Sequence, residues 1–380
     1  MRFKDLIGQK DTLVQVRQML DSARMPHAMM FLGQKGSGKL TLALAVAQAI
    51  LCENRNPGED SCGQCSQCQK VSKLIHPDLH FSFPTVGPKA TSDQFLPQWR
   101  EALAENPFQN GFEWLQRIGS ENQQGNITKE ECTRILHKIG LKVFEGSHKV
   151  LIIWLPEYLG NEGNRLLKLI EEPPEQTVFI LVAEEADKIL NTILSRCQVI
   201  RIPPMGDAVI RDALVSKQQL SEEQASALAF LSDGNYNEAL RLHQEGINDH
   251  ASDFIAWLRA CYQGKPAELV EWSNKLGGLG RENQKQLLQY GLHFLRELMS
   301  LKTRGVEAVR LQANELETAK RMDKVISWLR LEAFAELFSV NIYHIERNAH
   351  ARLQFLDAGI RIYQIFKSED HELRRLFNKA

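Results

Sequence analysis

The stretch Gly33-Gln34-Lys35-Gly36-Ser37-Gly38-Lys39-Leu40-Thr41 constrains this chain more than any other. An apolar run, Ala28 to Leu32, precedes it and reads as a buried strand; an apolar helix, Leu40 to Leu51, follows. A glycine-rich turn between strand and helix points backbone N–H groups inward, and the helix N-terminus adds its dipole, so a phosphate can sit there. Gly33, Gly36 and Gly38 allow the tight curl around Ser37, and Lys39 reaches toward the outer phosphates. The pattern G-x-x-x-x-G-K-[ST] is met at every position except the last. Leu40 stands where a hydroxyl would hold Mg²⁺, and Thr41 comes one residue late, rotated by about 100° on a helix of 3.6 residues per turn. The expectation is a phosphate cradle that binds ATP or ADP weakly and takes no Mg²⁺. The alternative is a loop that persists only as a structural turn.

At 380 residues the chain has room for two or three domains. Its net charge of −1 lacks the basic footprint of a dedicated DNA binder. No apolar run is long enough to cross a bilayer, and Met1-Arg2-Phe3-Lys4-Asp5 is no signal-peptide core, so a soluble, cytoplasmic protein is expected. Of seven cysteines, Cys52, Cys62, Cys65 and Cys68 fall in a C-x9-C-x2-C-x2-C spacing. Zn²⁺ takes four thiolates in a tetrahedron, and C-x2-C pairs turn both sulfurs toward one ion. With no open coordination position, such a site is structural. The competing reading is four free thiols in a loop. His76, Asp78 and His80 lie just downstream and are expected as a hydrogen-bonded loop rather than as ligands.

Residues 84–127 are rich in Pro, Gly, Asn and Gln, with Phe95, Trp99, Phe108, Phe112 and Trp114 interspersed. They read as an inserted, partly helical excursion whose aromatics pack against the domain. Thr128-Lys129-Glu130-Glu131 carries a capping-box pattern and starts a helix to about Leu141. Val150–Leu155 and Val178–Ala183 are continuous apolar runs of the kind that form central parallel strands. A helix over Asn164–Ile170 joins them, and Val199–Ile202 is a further strand before Pro203-Pro204. In a phosphate-loop ATPase the strand ending at Leu155 would close on a metal-holding Asp and a catalytic Glu; here it closes on Pro156 and Glu157. From 206 the pattern is helical, with Glu222–Leu231 and a turn at Asp233-Gly234-Asn235. Amphipathic segments at 254–261, 287–301, 325–338 and 351–366 follow. Gly277-Gly278-Leu279-Gly280 reads as a loop.

The order of these features resembles bacterial clamp-loader AAA+ subunits, the gamma/tau and delta-prime group of DNA polymerase III. Leu166-Leu167-Lys168-Leu169-Ile170-Glu171-Glu172-Pro173-Pro174 and Thr192-Ile193-Leu194-Ser195-Arg196-Cys197 carry the likeness, with Glu346-Arg347-Asn348-Ala349 a weaker echo. The resemblance implies an α/β P-loop AAA+ domain with a zinc module over 1–205, a helical lid over 206–248, and an all-α collar over 249–380. It places Ala183 and Glu184 where the family's sensor threonines lie, and Asn237 where a sensor arginine is expected. With Leu40 and Pro156, these departures imply a non-catalytic, delta-prime-type member of the holoenzyme. Arg196, flanked by Ser195 and Cys197, would be presented to ATP on a neighbouring subunit; the alternative is an ion pair with a nearby carboxylate. The implied partners are gamma/tau and delta subunits, the sliding clamp, and primer-template DNA through the assembly, with no membrane. An active gamma/tau-like ATPase, using Thr41 and Glu157 as substitutes, is the competing function.

Overall fold

The computed structural model describes residues 1–22, 25–119, 125–245, 250–309, 311, 313–347 and 349–369. The chain divides into two compact units, Met1–Gly246 and Ile247–Ala380. In the first, α1 (Lys10–Asp21) leads to β1 (Ala28–Leu32), α2 (Lys39–Leu51) and α3 (Ser66–Ser72). Then come β2 (Leu79–Ser82), α4 (Leu96–Glu105), α5 (Gly111–Arg117) and α6 (Lys129–Gly140). After β3 (Lys149–Trp154), a 3₁₀ stretch (Pro156–Leu166) and α7 (Leu167–Glu171) lead to β4 (Thr177–Ala183). The unit continues with α8 (Asn191–Leu194), β5 (Gln198–Arg201), α9 (Asp207–Gln218), α10 (Glu222–Leu231) and α11 (Tyr236–Glu245).

The strands form one sheet in the order β2-β3-β4-β1-β5, parallel throughout. Every residue of β1, β3 and β4 is buried, as expected of inner strands covered on both faces. Alternation along the strands sorts the side chains. Met29, Phe31, Ile152, Trp154, Ile180 and Val182 pack with α2, which is apolar on all sides and almost wholly buried. Met30, Leu32, Leu151, Ile153, Phe179 and Leu181 face the other layer, with Ile135 and Ile139 of α6 and Ile170 of α7. Leu32 pairs with Ala183, and Trp154 with Val182, so the carboxyl ends of β1, β3 and β4 stop side by side. The link from β1 crosses to the far edge of the sheet, and ligands of open α/β sheets bind at such carboxyl-end crevices.

Several sequence expectations need adjustment. Leu79–Ser82 is the edge strand β2, so His80, read as loop, lies in a strand. The helix read over Asn164–Ile170 is 3₁₀ up to Leu166 and α-helical from Leu167, and the 3₁₀ stretch reaches back to Pro156 with a kink at Gly160. Leu155 is not part of β3: it turns into the left-handed region at φ 56°, which swings the chain into Pro156. The capping box at Thr128 is half formed. Thr128 Oγ1 accepts the Glu131 N–H at 3.1 Å, but the Glu131 carboxylate turns away to accept the Ser92 N–H.

The second unit is helical among its described residues: α12 (His250–Gln263), α13 (Pro266–Gly277), α14 (Arg281–Arg304), α15 (Ala313–Asp323), α16 (Trp328–Glu346) and α17 (Ala351–Lys367). Helix α14 packs on α16 and α13 on α17 around Phe254, Trp257, Phe294, Phe334 and Phe338. The segment read as helical from Val325 begins at Trp328, with Ser327 as its cap. Gly277 ends α13 and Gly280 caps α14. Asn348 of the Glu346–Ala349 echo lies outside the described residues, as do 246–249, where the expected lid boundary falls.

Candidate nucleotide and metal sites

Gly36 (φ 66°) and Gly38 (φ 82°) both take left-handed backbone, which lets the loop curl and start α2 at Lys39. Lys39 is 5% exposed. Burial lowers its pKa, against the pull of Glu184 and Glu157. Its ammonium folds back on its own loop, donating to the Gln34 carbonyl at 2.6 Å and to Ser37 Oγ at 3.5 Å. A buried ammonium must find acceptors, and here main-chain and hydroxyl oxygens occupy the role a phosphate oxygen would take. Leu40 is buried, and Thr41 Oγ1 donates to the Gly38 carbonyl at 2.7 Å. The late hydroxyl is thus spent inside the first helical turn.

The loop is roofed by the turn before α11. Tyr236 N–H donates to the Gly36 carbonyl at 3.2 Å, and Gln34 Nε2 donates to the Asp233 carbonyl at 2.9 Å. A Cβ at Gly36 would stand 1.7 Å from Asn235 Oδ1, so only glycine permits this approach. A Cβ at Gly38 would lie 3.0 Å from Met205 Cε and 3.5 Å from Phe108 Cε1. Gln9 Nε2 ties the Ser37 carbonyl to that of Pro203.

Pro156 is buried at the tip of β3. Glu157 Oε1 accepts the N–H groups of Glu184 and of Glu185, the latter at 2.8 Å, which staples the tips of β3 and β4. Burial raises the Glu157 pKa, while those amides oppose the rise. Ala183 closes β4, and its carbonyl accepts the Gly33 N–H. Asn237 is buried; its amide nitrogen donates to both oxygens of Glu113 at 2.8 and 2.9 Å, and its oxygen accepts from Asn106 Nδ2. Leu40, Thr41, Pro156, Glu157 and Ala183 therefore gather around one crevice with Lys39, whereas Asn237 faces the inserted segment.

Arg196 lies beyond α8. Its Nε and Nη2 donate to Glu171 Oε2 at 3.0 and 2.9 Å, and Nη1 donates to the Thr192 carbonyl. This is the intramolecular pair weighed above, and both side chains remain partly exposed. Ser195 Oγ also bonds the Thr192 carbonyl, and burial pushes the Cys197 thiol up to about 11.

The sulfurs of Cys52, Cys62, Cys65 and Cys68 lie within 4.8 Å of one another. A tetrahedron of thiolates about 2.3 Å from Zn²⁺ has edges of about 3.8 Å, and Cys62 and Cys68 stand 3.9 Å apart. Backbone N–H groups reach the sulfurs: Cys62 to Cys52, Gln64 and Cys65 to Cys62, and Cys68 to Cys65. The Gln64 and Cys65 amides pull the Cys62 thiol down to about 6. A four-thiol donor set with amides aimed at the sulfurs fits a closed metal site. His76 is outside it, bonded to Gln67 Oε1 at 2.6 Å and to the Asp78 N–H.

Phe108, Asn235 and Tyr236 lie against the loop, Asn106 and Glu113 hold Asn237, and Glu171 holds Arg196, yet no local pattern announces these pairings. Their contacts join positions far apart in sequence.

A parallel sheet in this order, with a glycine-rich loop leaving its β1 strand into a helix, defines the P-loop α/β class. The chain belongs to the clamp-loader AAA+ family: a family model described as "DNA polymerase III, delta subunit" matches residues 8–206. It is 30% identical over 246 residues to the DNA polymerase III subunit delta' of Bacillus subtilis, covering 64% of this chain and 61% of that one. Against the tau subunit of B. subtilis it is 25% identical, covering 96% and 62%. Against the delta' subunit of Haemophilus influenzae it is 25% identical, covering 93% and 96%. The chain thus spans about three fifths of the length of both B. subtilis relatives.

Proposed function

We propose that this chain is a non-catalytic, delta-prime-type subunit of the DNA polymerase III clamp loader. In this reading residues 1–205 are the AAA+ domain, 206–248 its lid and 249–380 a collar that joins gamma/tau and delta. The assembly uses ATP to open the sliding clamp and place it on primer-template DNA, and this subunit supplies Arg196 to the ATP site next to it. The observation that carries the reading is the magnesium corner. Leu40 is packed away where a hydroxyl would be needed, Thr41 comes one residue late with its hydroxyl proton given to the Gly38 carbonyl, and Pro156 has no side-chain donor, so both usual anchoring positions lack a ligand oxygen. Metal clamping of phosphoryl oxygens supplies much of the catalysis in such enzymes, so turnover in cis is not expected. Of the candidate substitutes, Thr41 is turned to its own helix, and Glu157 has Oε1 held by two backbone amides, which leaves it Oε2 alone.

A half-exposed arginine tied to one exposed carboxylate can be given up at little cost, because such pairs contribute about 0–1 kcal/mol. A finger supplied in trans is worth about 10³–10⁵ in rate at its own site. The four cysteines would hold a structural Zn²⁺ in this reading. The test is reconstitution with gamma/tau and delta, followed by DNA-stimulated ATPase. Arg196→Ala should lower the rate, whereas Glu171→Gln should not; an unaltered rate with Arg196→Ala removes the finger role.

A further inference from the structure

Residues 84–127 are not simply an ornament on the sheet. Trp99 and Trp114 are fully buried in the core beneath it: Trp99 stacks on Phe83 with centroids 4.4 Å apart, and Trp114 Nε1 donates to the Pro84 carbonyl at 2.7 Å. This anchors α4 and α5 firmly. Between those helices the chain turns through Asn106, Phe108 and Asn110, and this turn reaches the three-helix segment that follows β5. Phe108 packs on the apolar cluster of α9–α11 and meets Tyr236 edge-on at 4.8 Å. Glu113 and Asn106 take all three of the hydrogen bonds Asn237 makes through its side chain. Asn110 Oδ1 accepts the Glu113 N–H, and Glu113 accepts the Asn110 N–H, so the capping box of α5 fixes the carboxylate that grips Asn237.

Tyr236 and Asn235, the next residues toward the loop, are the ones that bond Gly36 and lie against it. We propose that this insert is a built-in lock: Asn106, Phe108 and Glu113 hold the Asn235–Asn237 turn down on the phosphate loop and keep nucleotide out. The proposal rests on reading Gly33–Thr41 as a disused nucleotide cradle. It adds that closure is an active contact made by the insert, beyond the missing metal anchors. The phosphate of a nucleotide and the roof compete for the same space above Gly36 and Gly38, so binding requires the turn to lift. An affinity reduced by the open fraction follows.

The experiment uses the full chain and calorimetry with ADP, and with ATP in the presence and absence of Mg²⁺. The wild type should bind weakly, without help from Mg²⁺. Asn106→Ala with Phe108→Ala should bind ADP at least about tenfold more tightly, and adding Lys39→Ala should abolish that gain. Glu113→Gln, which preserves volume, provides a second variant; hydrogen exchange should rise at the Tyr236 amide and across Gly36–Lys39. If the wild type is weak and neither variant gains affinity or exchange, the lock falls while the subunit assignment stands on Arg196. Tight Mg²⁺-dependent ATP binding by the wild type would overturn both.

Discussion

Lys39 and Arg196 are the two cations on which the proposed function turns, and both are held by their own chain. Lys39 is buried, so its carbonyl and hydroxyl partners are obligatory until a phosphate replaces them. Arg196 is partly exposed and its partner more so, which makes its tether weak. His80 shows how burial can dominate a proton equilibrium. Burial, helped by Lys138, pulls its imidazole down to about 4, against Asp78 and Asp93. An unfolded histidine titrates near 6.5, so between about 4 and 6.5 the unfolded chain binds the extra proton. Stability is therefore complete above about pH 6.5 and declines as pH falls toward 4. His80→Gln should flatten that decline, read as urea midpoints at pH 7 and pH 4.5. His76 and His148, also lowered by burial, leave a residual slope. A variant with the full wild-type slope would count against this account.

Among the elements, the cysteine loop does more than hold sulfur. Asp60, two residues before Cys62, accepts the N–H groups of Phe3 and Lys4 at 3.1 and 3.0 Å, and Gln48 of α2 accepts from the terminal amine at 3.0 Å. With the proposed metal bound, chelating it, or Cys68→Ser, should accordingly raise hydrogen exchange at residues 2–5 as well as 52–68 and lower the melting temperature. Exchange confined to the cysteines would sever that link. The loop was legible because glycine and cysteine spacings encode local backbone: the phosphate turn, α2 and the thiol cluster all sit where their patterns put them. So were β1, β3 and β4, whose unbroken apolar runs have few alternatives. The edge strand β2 was not, since Leu79-His80-Phe81-Ser82 is short and its pairing depends on Val150–Ile153 far downstream. The grip of Glu113 on Asn237 was equally invisible, because the local patterns each residue belongs to say nothing of the other and 124 positions separate them. Sequence reading finds what neighbouring residues impose and misses what distant ones negotiate.

At the scale of the whole molecule, two separate aromatic clusters occupy the two units. Trp99, Trp114, Phe83 and Trp154 form one against the sheet, with Trp99 touching each of the other three. Phe254, Trp257, Phe334 and Phe338 form the other within the helices, with Phe338 meeting Phe254 at 5.6 Å and Trp257 at 6.4 Å. Both Trp99 and Phe338 are fully buried, so truncation leaves a cavity that a close-packed interior fills only partly. Each alanine substitution should cost about 3–5 kcal/mol. The costs should also be local. Trp99→Ala should accelerate exchange in β1–β4, α4 and α5, loosening the insert from the sheet while α14 and α16 keep their protection. Phe338→Ala should do the reverse, and in the proposed assembly, with the helical unit as its collar, it should weaken subunit association without altering the chemistry at the ATP site proposed to receive Arg196. Peptide-resolved exchange on both variants checks this directly. Uniform acceleration across the chain in either variant would mean that the two cores melt as one, and that α9–α11, the insert and the helical unit share a single cooperative transition.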